Sequence, residues 1–340
     1  MNMLFLIFPF AFLLSFFLAI FFRRYALRRS LIDIPNNRSS HSQPTPRGGG
    51  LAIVISFIFC LPATIFFNGN SLSTSVALTL SGVGIALLGF LDDHGHIAAR
   101  WRLLGHFFFA ALILFFLDKI PIITIIGIEL HTSWFNFIIL TLYLVWMLNL
   151  YNFMDGIDGI ASVEALCVCL SAVLLYYFSG FEQLIWSPLI LSMAVSGFLY
   201  WNFPPAKIFM GDAGSGFLGI TLGALSLQAT IVAPRLLWMW VILLGVFIVD
   251  ATFTLVRRLL RGEKIYEAHR SHAYQFAARR FGRHLPVTLS VGVINLFWLL
   301  PIAFCVVMSW LDGVVGVLLA YAPLCAAAIK FHAGRLEETL

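Results

Sequence analysis

Apolar residues run through this chain in long unbroken blocks, not in the 3.6-residue or alternating patterns of half-buried helices and strands. A bilayer core about 30 Å thick needs roughly 20 such residues per helix. By that rule the pattern predicts eleven spans, at 3–22, 51–67, 73–91, 102–117, 134–150, 160–178, 183–200, 214–231, 236–256, 286–308 and 313–329. The apolar run Ile120–Ile128 is broken by Pro121 and Gly127 and is too short to cross, which predicts an external loop over 118–133. No internal repeat or low-complexity tract interrupts the series. The expected fold is all-α: one polytopic integral membrane helical bundle over 1–340, with about 11 transmembrane helices.

Composition agrees. Hydrophobic residues make up 61% of the 340 positions and charged residues 11%, too little charge to cover a water-facing surface. A soluble enzyme, a disordered chain and a disulfide scaffold are excluded. Cys60, Cys167, Cys169, Cys305 and Cys325 all fall within apolar runs and form no C-x-x-C pair, so they read as small buried hydrophobes.

Charge then sets orientation. Arg23, Arg24, Arg28 and Arg29 follow the first apolar run instead of preceding it, so it reads as a retained helix and not a signal peptide. With the N-terminus outside (periplasmic) and the C-terminus cytoplasmic, nineteen of the twenty-one Lys and Arg residues fall on the inner side, leaving Lys119 and Arg235 outside. The net charge of +5 is thereby explained by topology, with no nucleic acid required.

Carboxylates cost roughly 2.5–3.5 kcal/mol each at the bilayer centre, so their positions are informative. Five of the sixteen acids fall in three short inner loops: Asp92 and Asp93, Asp155 and Asp158, and Asp212. Any one loop reads equally well as solvated. Three Gly-rich loops presenting acids to one compartment predict a shared site of dense negative charge, which requires a cation. Oxygen ligands without cysteine fit Mg²⁺ or Mn²⁺, and that pairing points to phosphoryl chemistry. The glycines of Asn149–Gly159 permit close approach to a ligand, and Phe209–Gly216 opens a helix whose free N–H groups favour an anion. The last inner loop adds Arg257, Arg258, Arg261, Lys264 and His269-Arg270-Ser271-His272; alone, such a loop reads as topological or lipid-facing. Asp250 lies seven residues before Arg257, which predicts a structural ion pair along one helix face. Glu164 is expected in the first turn of its helix, at the positive end of the dipole.

The motifs resemble a known family. Asp92-Asp93-His-Gly-His-Ile97 followed by Arg102-Leu-Leu-Gly-His106 is similar to its two-Asp, Lys/Arg-Leu-Leu-x-Gln pattern. Asn149–Gly159 resembles N-x-x-N-x-x-D-G-x-D-G, Asn202–Ala206 leading into Phe209–Ser215 matches a third motif, and Arg258–His272 resembles a basic fourth loop. The family is the polyprenyl-phosphate N-acetylhexosamine-1-phosphate transferases, which start O-antigen, enterobacterial common antigen and teichoic acid chains and include the peptidoglycan translocase. The resemblance spans about residues 33–275. It implies transfer of an N-acetylhexosamine-1-phosphate from a UDP-sugar to undecaprenyl phosphate with release of UMP, at the cytoplasmic face of the bacterial inner membrane, initiating a surface polysaccharide such as O-antigen. The implied cofactor is Mg²⁺, with Mn²⁺ as substitute. UDP-N-acetylhexosamine, undecaprenyl phosphate and the lipid bilayer are the implied partners; a homodimer is left open. The loops 23–50, 92–102, 151–159, 201–213 and 257–285 would form the site.

Residue by residue, the resemblance implies that Asp92 orients or deprotonates the lipid phosphate, with Asp93 and His272 as further catalytic positions. Asn152 and Asp212 match metal-holding positions. Asp155, Asp158 and Asn202 match nucleotide- or metal-pocket positions, Asn149 another substrate position, and Phe209 a residue that packs on uracil. Arg102 and Arg270 match positions suited to phosphates. Two departures stand out: His106 replaces the usual Gln, and Arg270-Ser-His272-Ala-Tyr274-Gln275 keeps one His of a typical R-x-H-x-H-H run. They point to a polysaccharide-initiating branch, with an N-acetylated, 6-deoxy amino sugar as one donor. An acid-lined secondary transporter is the competing class. It would place its groups near the midplane of repeated halves, which this chain lacks. A CDP-alcohol phosphatidyltransferase would need D-G-x-x-A-R, which Asp158-Gly159-Ile160-Ala161 does not complete.

Overall fold

The computed structural model describes residues 3–35, 43–67, 71–95, 97–263 and 269–335; His96 and Lys264, both named above, lie outside them. The helices are α1 (Ile7–Arg28), α2 (Leu51–Cys60), α3 (Ala63–Phe66), α4 (Leu72–Gly95), α5 (Ala99–Phe116), α6 (Ser133–Met154), α7 (Ile160–Ser179), α8 (Trp186–Asn202), α9 (Asp212–Val232), α10 (Arg235–Leu243), α11 (Gly245–Leu260), α12 (Ala273–Phe281), α13 (Leu285–Ile294), α14 (Leu300–Val307) and α15 (Gly313–Lys330). Helix is the expected outcome for apolar blocks in lipid, because every backbone polar group is then satisfied within its own segment.

Among the described residues nine helices are long and apolar enough to cross a membrane, or ten if the bent pair α10–α11 is one span. A five-residue π turn, Asn295–Leu299, joins α13 to α14 within one such helix. Two of the eleven sequence segments look different in the structure. Segment 51–67 is the shorter helix Leu51–Phe66, interrupted before α3 at Pro62, which has no N–H to donate. Segment 236–256 is bent by 74° where α10 meets α11. The stretch 257–285 is not all loop, since it contains α12.

Two small antiparallel sheets add to the helices. β1 (Ile32–Asp33) pairs with β2 (Thr45–Pro46), and β3 (Ile123–Ile125) with β4 (Ile128–Leu130). The second is a hairpin within the stretch read as an external loop.

The helix α9 is the most buried of the spans and packs against α4 and α6. Glycine makes both contacts possible. A Cβ on Gly219 would lie 2.5 Å from the Met147 carbonyl oxygen and 2.8 Å from Leu148 Cα, so the α6 backbone approaches as it does at small-residue helix crossings in membranes. A Cβ on Gly89 of α4 would lie 2.5 Å from the Ala213 nitrogen. These contacts bring the last turn of α4, the end of α6 and the first turn of α9 to one end of the bundle.

Candidate active site

The acids predicted for three loops sit at helix ends. Asp92 and Asp93 occupy the last turn of α4, Asp155 caps α6, and Asp212 is the first residue of α9. A carboxylate at a helix C-terminus opposes the dipole by about 0.3–1 kcal/mol, so the pair on α4 needs compensation. Arg102 supplies it for Asp92: its Nη1 donates to Asp92 Oδ2 and lies 3.5 Å from Asp212 Oδ2. The Ile97 N–H donates to Asp92 Oδ1 at 2.8 Å. Asp93 is 7% exposed and is compensated by Arg47, whose Nε lies 3.8 Å from Oδ1, and by the Asp212 N–H of α9 at 3.5 Å. The helix terminus expected to attract a ligand anion therefore faces Asp93. Gly211, at φ +76°, makes that turn; a Cβ there would lie 2.8 Å from Asp93 Oδ2.

Two cavities meet at this end. The first, about 270 Å³, is lined by Asp33, Asp93, Asp155, Asp158 and Asp212, with Arg47, Asn152, Asn202, Phe209, Ser215, Gln275 and His284. The second, about 700 Å³, is lined by Arg102, His106, Asn149, His269, His272 and Tyr274, and by the apolar Leu103, Leu142, Val145, Trp146 and Leu255. Asn152, Asp155, Gly156 and Gln275 line both.

Most of the residues singled out from the sequence are thus together. Asp93, Asn152, Asp155, Asp158, Asn202, Phe209 and Asp212 face the first cavity, and Arg102, Asn149 and His272 the second, while Asp92 and Arg270 are not among the lining of either. Several have structural bonds as well. Asn202 is buried, donates to the Ile208 carbonyl at 3.1 Å and accepts from Ser162 Oγ at 3.3 Å, closing the turn that leads to Phe209. Asp158 Oδ2 accepts the Ala206 N–H at 3.0 Å, and its Oδ1 lies 3.1 Å from His284 Nδ1, tying two motif loops to α13.

Burial, and then the carboxylates of Asp212, Asp93 and Asp158, push the Asp155 carboxyl well above the ordinary range. Burial, and then His272 and Arg258, pull His269 down to about 3, so its ring is neutral at pH 7.

Two sequence expectations fail. Arg257 does not pair with Asp250; its Nη1 donates to the Ala333 carbonyl at 3.0 Å, while Asp250 takes the first N–H groups of α12. Spacing put the two on one face but could not show the nearer competing donors. Glu164 lies beyond the first turn of α7 and is fully buried, with Oε2 accepting from Asn295 Nδ2 at 2.6 Å. Its partner is the π turn, not the dipole.

The residues fit a hard divalent cation. Asp93 Oδ2 is buried with no hydrogen-bond partner, and Asp155 is disfavoured as an anion by its neighbours. Asn152 donates its Nδ2 to Ser215 Oγ at 3.0 Å, leaving its carbonyl oxygen for another partner. Among the described residues no three His, Cys, Asp or Glu side chains close around one point. A partial all-oxygen shell suits Mg²⁺, which completes its octahedron with water and phosphate oxygens.

Sequence reasoning missed Arg47, Asp33 and His284, and gave Ser215 and Gln275, which it read only as parts of motifs, no place in the site. The signal for Arg47 was the run Arg47-Gly48-Gly49-Gly50. Three glycines let this turn press on the start of α9, where a Cβ on Gly50 would lie 2.4 Å from Gly214 Cα.

Comparison with known proteins gives a consistent result. Residues 75–230 match the glycosyl transferase family 4 profile. The chain is 33% identical over 268 residues to a probable undecaprenyl-phosphate N-acetylglucosaminyl 1-phosphate transferase of Bacillus subtilis (strain 168), covering 74% of this chain and 71% of the relative. It is 34% identical to a decaprenyl-phosphate N-acetylglucosaminephosphotransferase of Mycolicibacterium smegmatis, over 64% of this chain and 58% of that one. It is 26% identical to an undecaprenyl-phosphate alpha-N-acetylglucosaminyl 1-phosphate transferase of Thermotoga maritima, over 86% and 88%.

Proposed function

This chain belongs to the polyprenyl-phosphate N-acetylhexosamine-1-phosphate transferase family, and on that premise we propose that it moves an N-acetylhexosamine-1-phosphate from a UDP-sugar to undecaprenyl phosphate. An oxygen of the lipid phosphate attacks the sugar-linked phosphorus, the bond from that phosphorus to the bridging oxygen breaks, and UMP leaves. The observation that carries this reading is the pair of cavities with a shared wall, one acid-lined and polar, the other half apolar. The first suits a nucleotide diphosphate and the second a phosphate on a long hydrocarbon.

In this scheme Phe209 packs on the base, and Asp158 and Asn202 hold the loops that frame it. Arg102 and His272 face the acceptor phosphate in the larger cavity. Lipid phosphate is largely ionised at pH 7, so the chain's main task is to align two anions, and positioning dominates proton transfer. Mg²⁺ held by Asn152 and Asp212, with Asp93 and Asp155 facing the same cavity, would neutralise pyrophosphate charge. We place the site on the cytoplasmic side of the bacterial inner membrane, with the product starting a surface polysaccharide.

The test is incubation of membranes bearing the protein with undecaprenyl phosphate and a panel of UDP-N-acetylhexosamines, 6-deoxy amino sugars included, with detection of UMP. Lipid-dependent UMP release with one donor is expected. No release with any donor would sink the reading. Reporter fusions after Arg29, Arg100, Lys207 and Arg261 should read cytoplasmic and one after Lys119 external.

A further inference from the structure

Asp250 lies in the second turn of α11 and is 6% exposed. Its Oδ1 accepts the Ala273 N–H at 2.9 Å, and its Oδ2 accepts the Tyr274 N–H at 3.0 Å. Oδ1 also accepts from Thr254 Oγ1 at 3.2 Å and lies 3.4 Å from His272 Nδ1. The two N–H groups open α12, so a carboxylate on α11 satisfies donors that a helix start leaves unpaired. The same carboxylate sits beside the ring nitrogen of the residue preceding α12.

His272 is 3% exposed and lines the larger cavity. Its backbone N–H donates to Gln275 Oε1 at 3.2 Å. The residue before it is tied from another direction, since the Gly334 N–H donates to the Ser271 carbonyl at 2.6 Å. A carboxylate at Nδ1 holds the N–H there and leaves Nε2 as the nitrogen the ring offers a ligand. Asp250 itself lines neither cavity.

We propose that Asp250 is a positioning residue for the transfer: it fixes the His272 ring and the start of α12 against the acceptor cavity, and acts on turnover only through His272. The proposal rests on the reading above for what His272 contacts, and not for the geometry that holds it.

The test uses full-length protein in detergent, with Asp250→Ala, Asp250→Glu, His272→Ala and the double variant Asp250→Ala/His272→Ala. Loss of a residue that orients a ligating group costs about 10–100-fold, and that fall in kcat is expected for Asp250→Ala, with UDP-sugar Kd within about twofold. Asp250→Glu should recover most of the loss. Residues acting as a unit are not additive, so the double variant should be no more than about threefold below His272→Ala alone. Multiplicative losses, an equal fall in UDP-sugar affinity, or no recovery by Asp250→Glu would each overturn the proposal. Asp250→Asn, which keeps the volume, replaces Asp250→Ala if the latter does not fold.

A second readout needs no turnover. In ¹⁵N-histidine-labelled protein the ring signal assigned to His272 should move in Asp250→Ala, and an unmoved signal overturns the proposal. A moved signal in a protein that releases no UMP from any donor would leave the positioning intact and remove the assigned reaction.

Discussion

The smaller cavity carries five carboxylates against Arg47, and the larger sets Arg102 and three histidines opposite a wall of Leu103, Leu142, Val145, Trp146 and Leu255. An acid-rich pocket repels a bare pyrophosphate at close range, so it can hold one only with a cation between them. A cavity that sets the Arg102 guanidinium and imidazole rings against an apolar wall, with Asp155 the one carboxylate among the described residues that line it, has less need of that. On the proposed reading it would take an amphiphile, whose head meets Arg102 while its chain leaves along the apolar wall. On the function proposed above, the contrast would separate a donor side that requires a cation from an acceptor side that does not, joined at Asn152–Gly156.

The strongest way to break this comparison is to remove charge from the donor side. Asp212→Asn should lower turnover by about 10³-fold, comparable to losing a key electrostatic group, while the melting profile in detergent stays near that of the unaltered protein. EDTA should do the same, with rescue by Mg²⁺ or Mn²⁺. Full turnover in excess EDTA would make the acid cluster structural and erase the distinction between the two sides.

Next in size is a split between binding and turnover. Phe209→Ala should raise the UDP-sugar Kd about tenfold, because a stacked ring contributes about 1–3 kcal/mol per base. Asp92→Asn should leave that Kd nearly unchanged and depress kcat, since Asp92 holds Arg102, which faces the acceptor cavity. Isothermal titration on both variants decides it. The reverse pattern would swap donor and acceptor sides.

Much of this was legible before any coordinates. Apolar blocks give helices because lipid leaves the backbone no alternative. The acids could be found because they are costly where they stand. What the sequence could not resolve was the division of labour within a motif. Asp92 and Asp93 are adjacent and chemically identical, yet Asp92 has both oxygens bonded to Arg102 and Ile97, while Asp93 keeps Oδ2 unpartnered. That difference comes from Arg47 and α9, residues far apart in the chain. Asp250 and Arg257 failed for the same reason: helical spacing describes one element, and the deciding donors belong to another.

A smaller effect links the acid cluster to stability. Asp155 has a raised pKa, so the folded protein without metal holds that proton more tightly than the unfolded chain does. Its ionisation therefore lowers stability as pH rises above the ordinary carboxylate range. A divalent cation binds the ionised form and offsets the loss. The gain in Tm on adding Mg²⁺ should be several degrees at pH 8 and close to none at pH 5, scored by a thermal-shift series in detergent. A gain that grew toward low pH would contradict a cation beside Asp155.

The mildest test addresses the wall that both sides share. Ser215 stands on the first turn of α9 and accepts Asn152 Nδ2 at 3.0 Å, which fixes the amide of a residue lining both cavities. Removing one neutral hydrogen bond is worth about 1 kcal/mol, or roughly a fivefold change in rate. Ser215→Ala should therefore lower kcat about fivefold. Because Asn152 lines both cavities, the loss should be the same whether donor or acceptor is limiting. Substitutions confined to one side behave differently, as Phe209→Ala should show. Initial rates measured with each substrate varied in turn would separate the cases. A fall in kcat/KM for the UDP-sugar alone would place Asn152 wholly on the donor side and move the boundary between the cavities toward the acceptor.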